Sequence, residues 1–192
     1  GMTTYDFNGG IGTASRVLRA EEGGFTVGVL VQANHGTREE LRIAGVPVGQ
    51  EITDLMPKKP QEAGPPASSI LTVIATDAPL LPHQCRRLAK RAPLGMARTG
   101  GTANNWSGDL FLAFSVANHP NRESNARTER WDALPLRAMD PLFIATIQAT
   151  EEAIINALVA AETMTGHNGH TYHALPHDRL REVLRKYGRL RP

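Results

Sequence analysis

The sequence predicts a layered α/β or α+β domain, and three features carry this prediction. Apolar, β-branched runs at residues 25–34 and 70–76 have the length and composition of strands. A third apolar run, at residues 109–117, follows a loop of small residues and predicts another strand. Residues 140–164 repeat apolar side chains at helical spacing behind Asp140 and a proline, which predicts one long helix. Strands and helices of this kind bury their apolar faces by stacking in layers.

The other predicted elements complete a single domain. Residues 14–20 are expected to pair with residues 25–34 as a hairpin, across a turn at 21–24 that contains two glycines. Residues 79–98 are predicted to be mostly helical, and a last helix is predicted at about 176–187. The 192 residues are enough for one domain and too few for two comfortable ones.

Composition excludes several kinds of protein. The apolar share of 41%, the charged share of 21% and the net charge of +2 give no reason to expect a nucleic-acid partner. Cys85 is the single cysteine, so a disulfide within the chain is impossible and a cysteine-based zinc site is not expected. No uninterrupted apolar run approaches about 18 residues, so no membrane span is expected. The first residues lack the pattern of a signal peptide, and we therefore expect a cytoplasmic protein. We also expect no cofactor.

The junction at Ser68 and Ser69 is the most informative point in the sequence. Residues 56–67 are rich in proline and charge and predict an exposed linker, whereas residues 70–76 predict a strand buried on both faces. A serine hydroxyl needs a base to act as a nucleophile. If the bond between Ser68 and Ser69 breaks, Ser69 gains an α-amine with a pKa of about 7.7–8.0, which can take the proton from its own hydroxyl. A serine that simply begins a strand explains the same residues, and composition alone favours that simpler interpretation.

Other polar residues lie near strand ends. Ser107 and Asp109 stand two residues apart before a strand and could orient or relay a proton. Asn34 ends a strand and could donate its amide N–H to an oxyanion. Turn formation explains each of these residues equally well in isolation. Three imidazoles at three-residue spacing could bind zinc, but they lie in a glycine-containing loop without fixed geometry, and we predict no metal site. They are His167, His170 and His173.

Several blocks of the chain, taken in order, resemble one known family. The blocks are residues 1–16, 26–34, 74–82, 107–115, 149–154 and 175–180. Together they resemble the DmpA-like aminopeptidases of the P1 family, which comprise L-aminopeptidase/D-esterases and β-peptidyl aminopeptidases. The resemblance extends over essentially the whole chain and implies an αββα sandwich similar to that of N-terminal-nucleophile hydrolases.

The resemblance also implies roles for particular residues. The precursor would cut itself before Ser69, which becomes the nucleophile. Ser107 and Asp109 match the family's supporting serine and acidic residue, and Asn34 matches the asparagine of its oxyanion hole. No cofactor is implied.

The resemblance further implies how the chain is organised and what it acts on. Residues 1–68, with the linker at 56–67, would end an α-subunit portion, and residues 69–192 would form a β-subunit portion. The processed units would assemble as a homo-oligomer and act on short peptides, amides or esters.

Two departures from the family pattern leave alternatives open. The family often has Gly or Asn before the cut, where this chain has Ser68, so Ser68 is a competing site. The family also has a large N-terminal part ahead of Gly1, without which the sheet and pocket would be incomplete. An inert partial domain is therefore one alternative. Another is an acyltransferase of the ornithine acetyltransferase-like kind, although that family uses a threonine nucleophile and Ser69 favours the peptidase.

Overall fold

The computed structural model of the protein describes residues 2–57, 68–119 and 127–190. Its strands, in chain order, are β1 (Thr3–Thr4), β2 (Phe7–Asn8), β3 (Gly10–Val17), β4 (Thr26–Asn34), β5 (Ser69–Thr76), β6 (Leu110–Ser115), β7 (Met164–Thr165) and β8 (Thr171–Tyr172). Its helices are α1 (Val48–Glu51), α2 (Pro82–Ala89), α3 (Ala92–Arg98), α4 (Asp140–Val159) and α5 (His177–Lys186).

A four-stranded sheet in the order β3-β4-β5-β6 forms the centre of the molecule. The pairs β3–β4 and β4–β5 are antiparallel, whereas β6 runs parallel to β5. Because β5 and β6 are parallel, the residues that precede them lie at the same edge of the sheet. Ser69 and the loop that ends at Asp109 are therefore neighbours.

Helices cover one face of this sheet. The long helix α4 packs against β3 and β4, α3 packs against α4, and α2 packs against β6. Gly12 allows β3 and α4 to pack closely, because a Cβ there would lie 1.9 Å from the carbonyl oxygen of Ala153 in α4. A residue with a side chain at this position would push the strand away from the helix.

The opposite face of the sheet carries exposed apolar side chains among the described residues, and we call it the open sheet face. Its large apolar side chains are between 38% and 64% exposed, and they are Ile11, Leu30, Leu71, Leu110, Leu112 and Phe114. The strand register aligns Ile11, Gln32, Leu71 and Leu110 in one row across the sheet. Exposed apolar side chains grouped in this way are typical of interaction surfaces.

Arg38 holds the N-terminal residues against the rest of the domain. Its side chain is 2% exposed and its guanidinium lies 3.3 Å from the centre of the Phe7 ring. The guanidinium donates to the carbonyl oxygens of Tyr5 at 3.0 Å, Ile52 at 2.8 Å and Asp6 at 3.1 Å. Burial lowers the pKa of Arg38 to about 10, against the opposing effect of the Asp6 carboxylate.

The three predicted central strands are confirmed, with small changes in their bounds. The predicted strands at 25–34, 70–76 and 109–117 are β4, β5 and β6. The predicted strand at 14–20 was placed too late, because β3 begins at Gly10 and pairs with β4 along its whole length. A short 3-10 helix, Ala20–Glu22, replaces the end of that predicted strand.

One face of β5 is covered, not both. Ile70, Thr72 and Ile74 are buried beneath the helices, whereas Leu71 is 38% exposed on the open sheet face. The expectation of a strand buried on both faces is therefore wrong for the described residues, since they supply helices to one face alone. Of the four layers of the expected αββα sandwich, the described residues form one sheet and one helical layer.

The predicted helices are present, but their lengths differ. The helix predicted at 140–164 ends at Val159, and residues 79–98 form two helices, α2 and α3. The stretch Leu136–Val159 is long and apolar enough to cross a membrane by length and composition alone, which we did not expect. Its buried residues, such as Ala149 and Ala153, face the sheet, so α4 is a core helix.

Candidate active site

Ser69 is the first residue of β5 and lies at the edge of the sheet where several polar groups meet. It is partly buried, and its hydroxyl oxygen accepts a hydrogen bond from the backbone N–H of Gly108 at 2.9 Å. Across the antiparallel ladder its partner is Asn34, the last residue of β4. The side chain of Ser69 therefore stands between the end of β4 and the loop that precedes β6.

Ser107 and Asp109 form a fixed pair beside Ser69. The Ser107 hydroxyl donates a short hydrogen bond to Oδ1 of Asp109. The same carboxylate oxygen accepts the backbone N–H of Ile70 at 2.9 Å. The carboxylate is thereby tied to the backbone nitrogen of Ile70, the residue that follows Ser69.

Asn34 presents a donor at the same edge of the sheet. Its Oδ1 accepts the backbone N–H of Thr3 at 2.8 Å, which orients the side-chain amide. Within residues 2–57, 68–119 and 127–190, Nδ2 of Asn34 has no hydrogen-bond partner. An amide N–H in this position is suited to stabilise a developing oxyanion, the role expected for Asn34.

Ser68 is held on the other side of the Ser69 backbone. Its hydroxyl accepts a hydrogen bond from Nδ2 of Asn104 at 3.2 Å, in the loop of small residues before β6. The structure thus places all four residues expected in the site, together with Ser68, around one edge of β5. The four are Asn34, Ser69, Ser107 and Asp109. Their catalytic roles stay predictions.

His35, which was not among the residues expected from the sequence, is buried at this site with 4% of its surface exposed. Burial lowers the pKa of its imidazole to about 4, although the carboxylates of Asp109 and Glu40 act in the opposite direction. The sequence feature that could have indicated His35 is its position directly after Asn34, at the end of a strand. Gly108 was not expected from the sequence either, because its N–H contact depends on the tertiary pairing of β5 with β6.

Other candidates lie away from this site. Cys85 is buried in α2, and burial raises the pKa of its thiol. The three histidines at 167, 170 and 173 lie at or beside a small hairpin of β7 and β8. No group of three metal-ligating side chains suited to a metal ion occurs within the described part of the chain. The predicted linker at 56–67 lies, from residue 58 on, outside the described residues.

Comparison with known proteins assigns the chain to a family. Residues 1–172 match the model of "Peptidase family S58". The β-peptidyl aminopeptidase BapA of Sphingosinicella microcystinivorans is 47% identical, over 99% of this chain and 50% of the relative. The chain belongs to peptidase family S58. The predicted resemblance to DmpA-like aminopeptidases is therefore confirmed.

Solved structures of the S58 type show the same fold. The L-aminopeptidase D-Ala-esterase/amidase of Ochrobactrum anthropi, described as a variant of the Ntn hydrolase fold, matches with a TM-score of 0.88 and 47% identity. That match covers 100% of this chain and 52% of that structure. A Burkholderia sp. β-aminopeptidase matches with a TM-score of 0.85 and 46% identity, covering 100% of this chain and 53% of that structure. The chain thus has the fold of the part of these Ntn-type aminopeptidases that it matches. It spans about half the length of the relatives.

Proposed function

We propose that this chain is the part of an S58 aminopeptidase that carries the nucleophile, and that the nucleophile is Ser69. The observation that carries the proposal is the position of Ser69 at the start of β5, with its hydroxyl held by the N–H of Gly108 at 2.9 Å. Ser107 and Asp109 stand beside it, joined to the backbone nitrogen of Ile70. A strand-start serine without a catalytic role would not need this polar surrounding.

Self-cleavage would create the active form. The Ser69 hydroxyl attacks the Ser68 carbonyl carbon, the peptide C–N bond breaks, and the Ser69 nitrogen takes a proton to become an amine. Ser68 is then joined to Ser69 Oγ by an ester. Water adds to that ester, the C–Oγ bond breaks, and the products are a Ser68 carboxylate and a free Ser69 with its hydroxyl and α-amine.

Hydrolysis of a substrate would reuse the same oxygen. The α-amine of Ser69, with a pKa of about 7.7–8.0 in an unperturbed terminus, takes the hydroxyl proton as Oγ attacks the substrate carbonyl. Nδ2 of Asn34 would donate to the oxyanion, and the amine would then protonate the leaving amine. Ser107 and Asp109 would hold the protonated amine and the Ile70 backbone in place. Water releases the acyl group from Ser69.

The substrates we propose are short peptides, amides or esters with a free N-terminus. The support is the family and the names of the relatives, which are a β-peptidyl aminopeptidase and an L-aminopeptidase D-Ala-esterase/amidase. No observation favours the acyltransferase alternative.

The open sheet face is the proposed position of the remaining half of the protein. Relatives contain about as many further residues as this chain has, because the chain covers 50% of one and 52% of another. A second sheet packed on Leu71, Leu110 and Leu112 would complete the αββα sandwich and bury their exposed surface. We further propose that processed units assemble as a homo-oligomer. Light scattering would measure the mass of that assembly.

The intact mass of the full-length protein that contains this sequence, measured under denaturing conditions, tests the proposal. We expect wild type to be split between Ser68 and Ser69, and Ser69→Ala to be neither split nor active, because both steps need the same oxygen. Ser68→Ala should still split, because Ser68 contributes its carbonyl alone. Splitting in Ser69→Ala, with an uncut Ser68→Ala, would move the nucleophile to Ser68. For residues 1–192 alone we expect slow or no splitting.

A further inference from the structure

A small cavity lies beside the bond that is proposed to break. The residues that line it include Ser68, Ser107, Asp109, His35 and Glu40. Its volume, counted as the space open to the centre of a water-sized sphere, is about 10 Å³. A buried water needs room for one such sphere, which itself occupies about 10–15 Å³. The cavity can therefore hold one water molecule.

His35 lines this cavity, and its two ring nitrogens have no hydrogen-bond partner among the described residues. The residue is 4% exposed. An unpaired buried polar group costs about 1–3 kcal/mol, so buried groups of this kind are as a rule paired with protein or with water. A water molecule in the cavity would supply that missing partner.

The imidazole ring has an aromatic neighbour, Tyr5. The ring of Tyr5 packs against it edge to face, with ring centres 5.1 Å apart and an interplanar angle of 67°. The Tyr5 hydroxyl is in turn within 2.7 Å of Oγ1 of Thr99, and the Tyr5 N–H donates to the His35 carbonyl at 2.8 Å. Gly36 permits this packing, because a Cβ there would lie 2.3 Å from the Tyr5 ring.

We propose that His35 binds, in this cavity, the water molecule that hydrolyses the ester formed at Ser69 during self-cleavage. The inference rests on the proposed function, since it assumes that the chain splits before Ser69. Ser68, the acyl residue of the ester, lines the same cavity as His35, so the water lies on the acyl side of the bond. A neutral imidazole has one nitrogen that accepts a hydrogen bond and can take a proton from water.

The step balances without a further reactant. The water oxygen bonds to the Ser68 carbonyl carbon while one water proton passes to the free imidazole nitrogen. The C–Oγ bond then breaks, and Oγ of Ser69 takes that proton back from the imidazolium. The products are the Ser68 carboxylic acid, which ionises, and the Ser69 hydroxyl. His35 ends the step neutral, as it began.

Hydroxylamine tests this role, because it attacks esters and leaves peptide bonds intact. In the full-length protein, His35→Phe removes both nitrogens and keeps an aromatic ring against Tyr5, and His35→Met is a second apolar variant in case the first does not fold. We expect each to split at least about 100-fold more slowly than wild type, the lower range for loss of a general base. Added hydroxylamine should restore splitting and leave a hydroxamate on Ser68, seen by mass. His35→Gln, which keeps polar atoms in the cavity, should split at an intermediate rate.

Control variants separate this inference from the proposed function. Ser69→Ala should stay uncut and resist hydroxylamine, because it forms no ester. Splitting of the apolar His35 variants at the wild-type rate would overturn the inference and leave the proposed function standing. So would uncut His35 variants that resist hydroxylamine, since the block would then precede the ester. An uncut wild-type protein would overturn both proposals.

Discussion

The backbone N–H of Gly108 lies 2.9 Å from the hydroxyl oxygen of Ser69, and a Cβ at Gly108 would lie 3.3 Å from that same oxygen. The two residues are 39 positions apart in the chain and meet because β5 and β6 are parallel neighbours. The contact positions the hydroxyl proposed to be the nucleophile and leaves little space around it.

Gly108→Ala should slow self-cleavage of the full-length protein about tenfold, which corresponds to about 1.4 kcal/mol in the barrier. The new methyl group would displace the Ser69 hydroxyl from the N–H that holds it. The rate is measured by intact mass against time. Gly166→Ala is the matched control, because a Cβ there meets nothing closer than 3.9 Å. Equal rates for both variants would contradict the positioning role of Gly108.

Asp109→Asn should lower kcat/KM for a short peptide amide about 100-fold, within the range for residues that assist proton transfer. The variant keeps an oxygen that can accept from Ser107 and Ile70 but removes the charge that strengthens both bonds. Ser107→Ala should have a smaller effect, and the double variant should lose less than the two losses combined. Asp132→Asn, at an exposed position, is the control. Fully additive losses would show that the two side chains act independently.

His35 should make the folded protein sensitive to acid between pH 6.5 and about 4. The unfolded imidazole has an ordinary pKa near 6.5, and burial lowers the folded pKa to about 4. Below pH 6.5 the unfolded state therefore binds the proton first, so stability falls with pH until the folded imidazole also titrates. The loss should approach about 3 kcal/mol.

Urea unfolding of wild type and His35→Phe at pH 7, 5 and 4 measures this effect. The difference in unfolding free energy between the two proteins should shift in favour of the variant as the pH falls. Carboxylates that titrate in both proteins cancel in that difference. Parallel curves for the two proteins would show that burial does not hold the imidazole neutral.

Arg38→Lys should lower the free energy of unfolding by about 3 kcal/mol, as expected when a buried charge loses its partners. Arg38 donates to the carbonyl oxygens of Tyr5, Ile52 and Asp6 from a planar fork that lysine cannot reproduce. Thermal unfolding followed by circular dichroism measures the loss. Arg19→Lys is the control, because the Arg19 side chain is 71% exposed and its replacement should leave the midpoint unchanged. Equal midpoints for both variants would contradict a structural role for Arg38.

Local patterns in the sequence were sufficient for the central strands and for the position of Ser69. Residues 25–34 and 70–76 are apolar and β-branched, and a strand places such side chains on a packed face whatever its neighbours are. The bounds were less accurate. The long helix ends at Val159, five residues before its predicted end at residue 164. The strand β3 begins at Gly10, because pairing with β4 decides where that strand begins.

The sequence by itself determined the family, the strand that begins at Ser69, and the candidates Asn34, Ser107 and Asp109, since these depend on residue type and local order. Tertiary structure alone decided that β6 runs parallel to β5, so that the Gly108 N–H reaches the Ser69 hydroxyl. It also decided that His35 is buried in the same cavity wall as Ser68, with two ring nitrogens that have no hydrogen-bond partner among the described residues. Contacts between residues far apart in the chain depend on strand pairing and on the packing of the Tyr5 ring. No local pattern in the sequence encodes either of these.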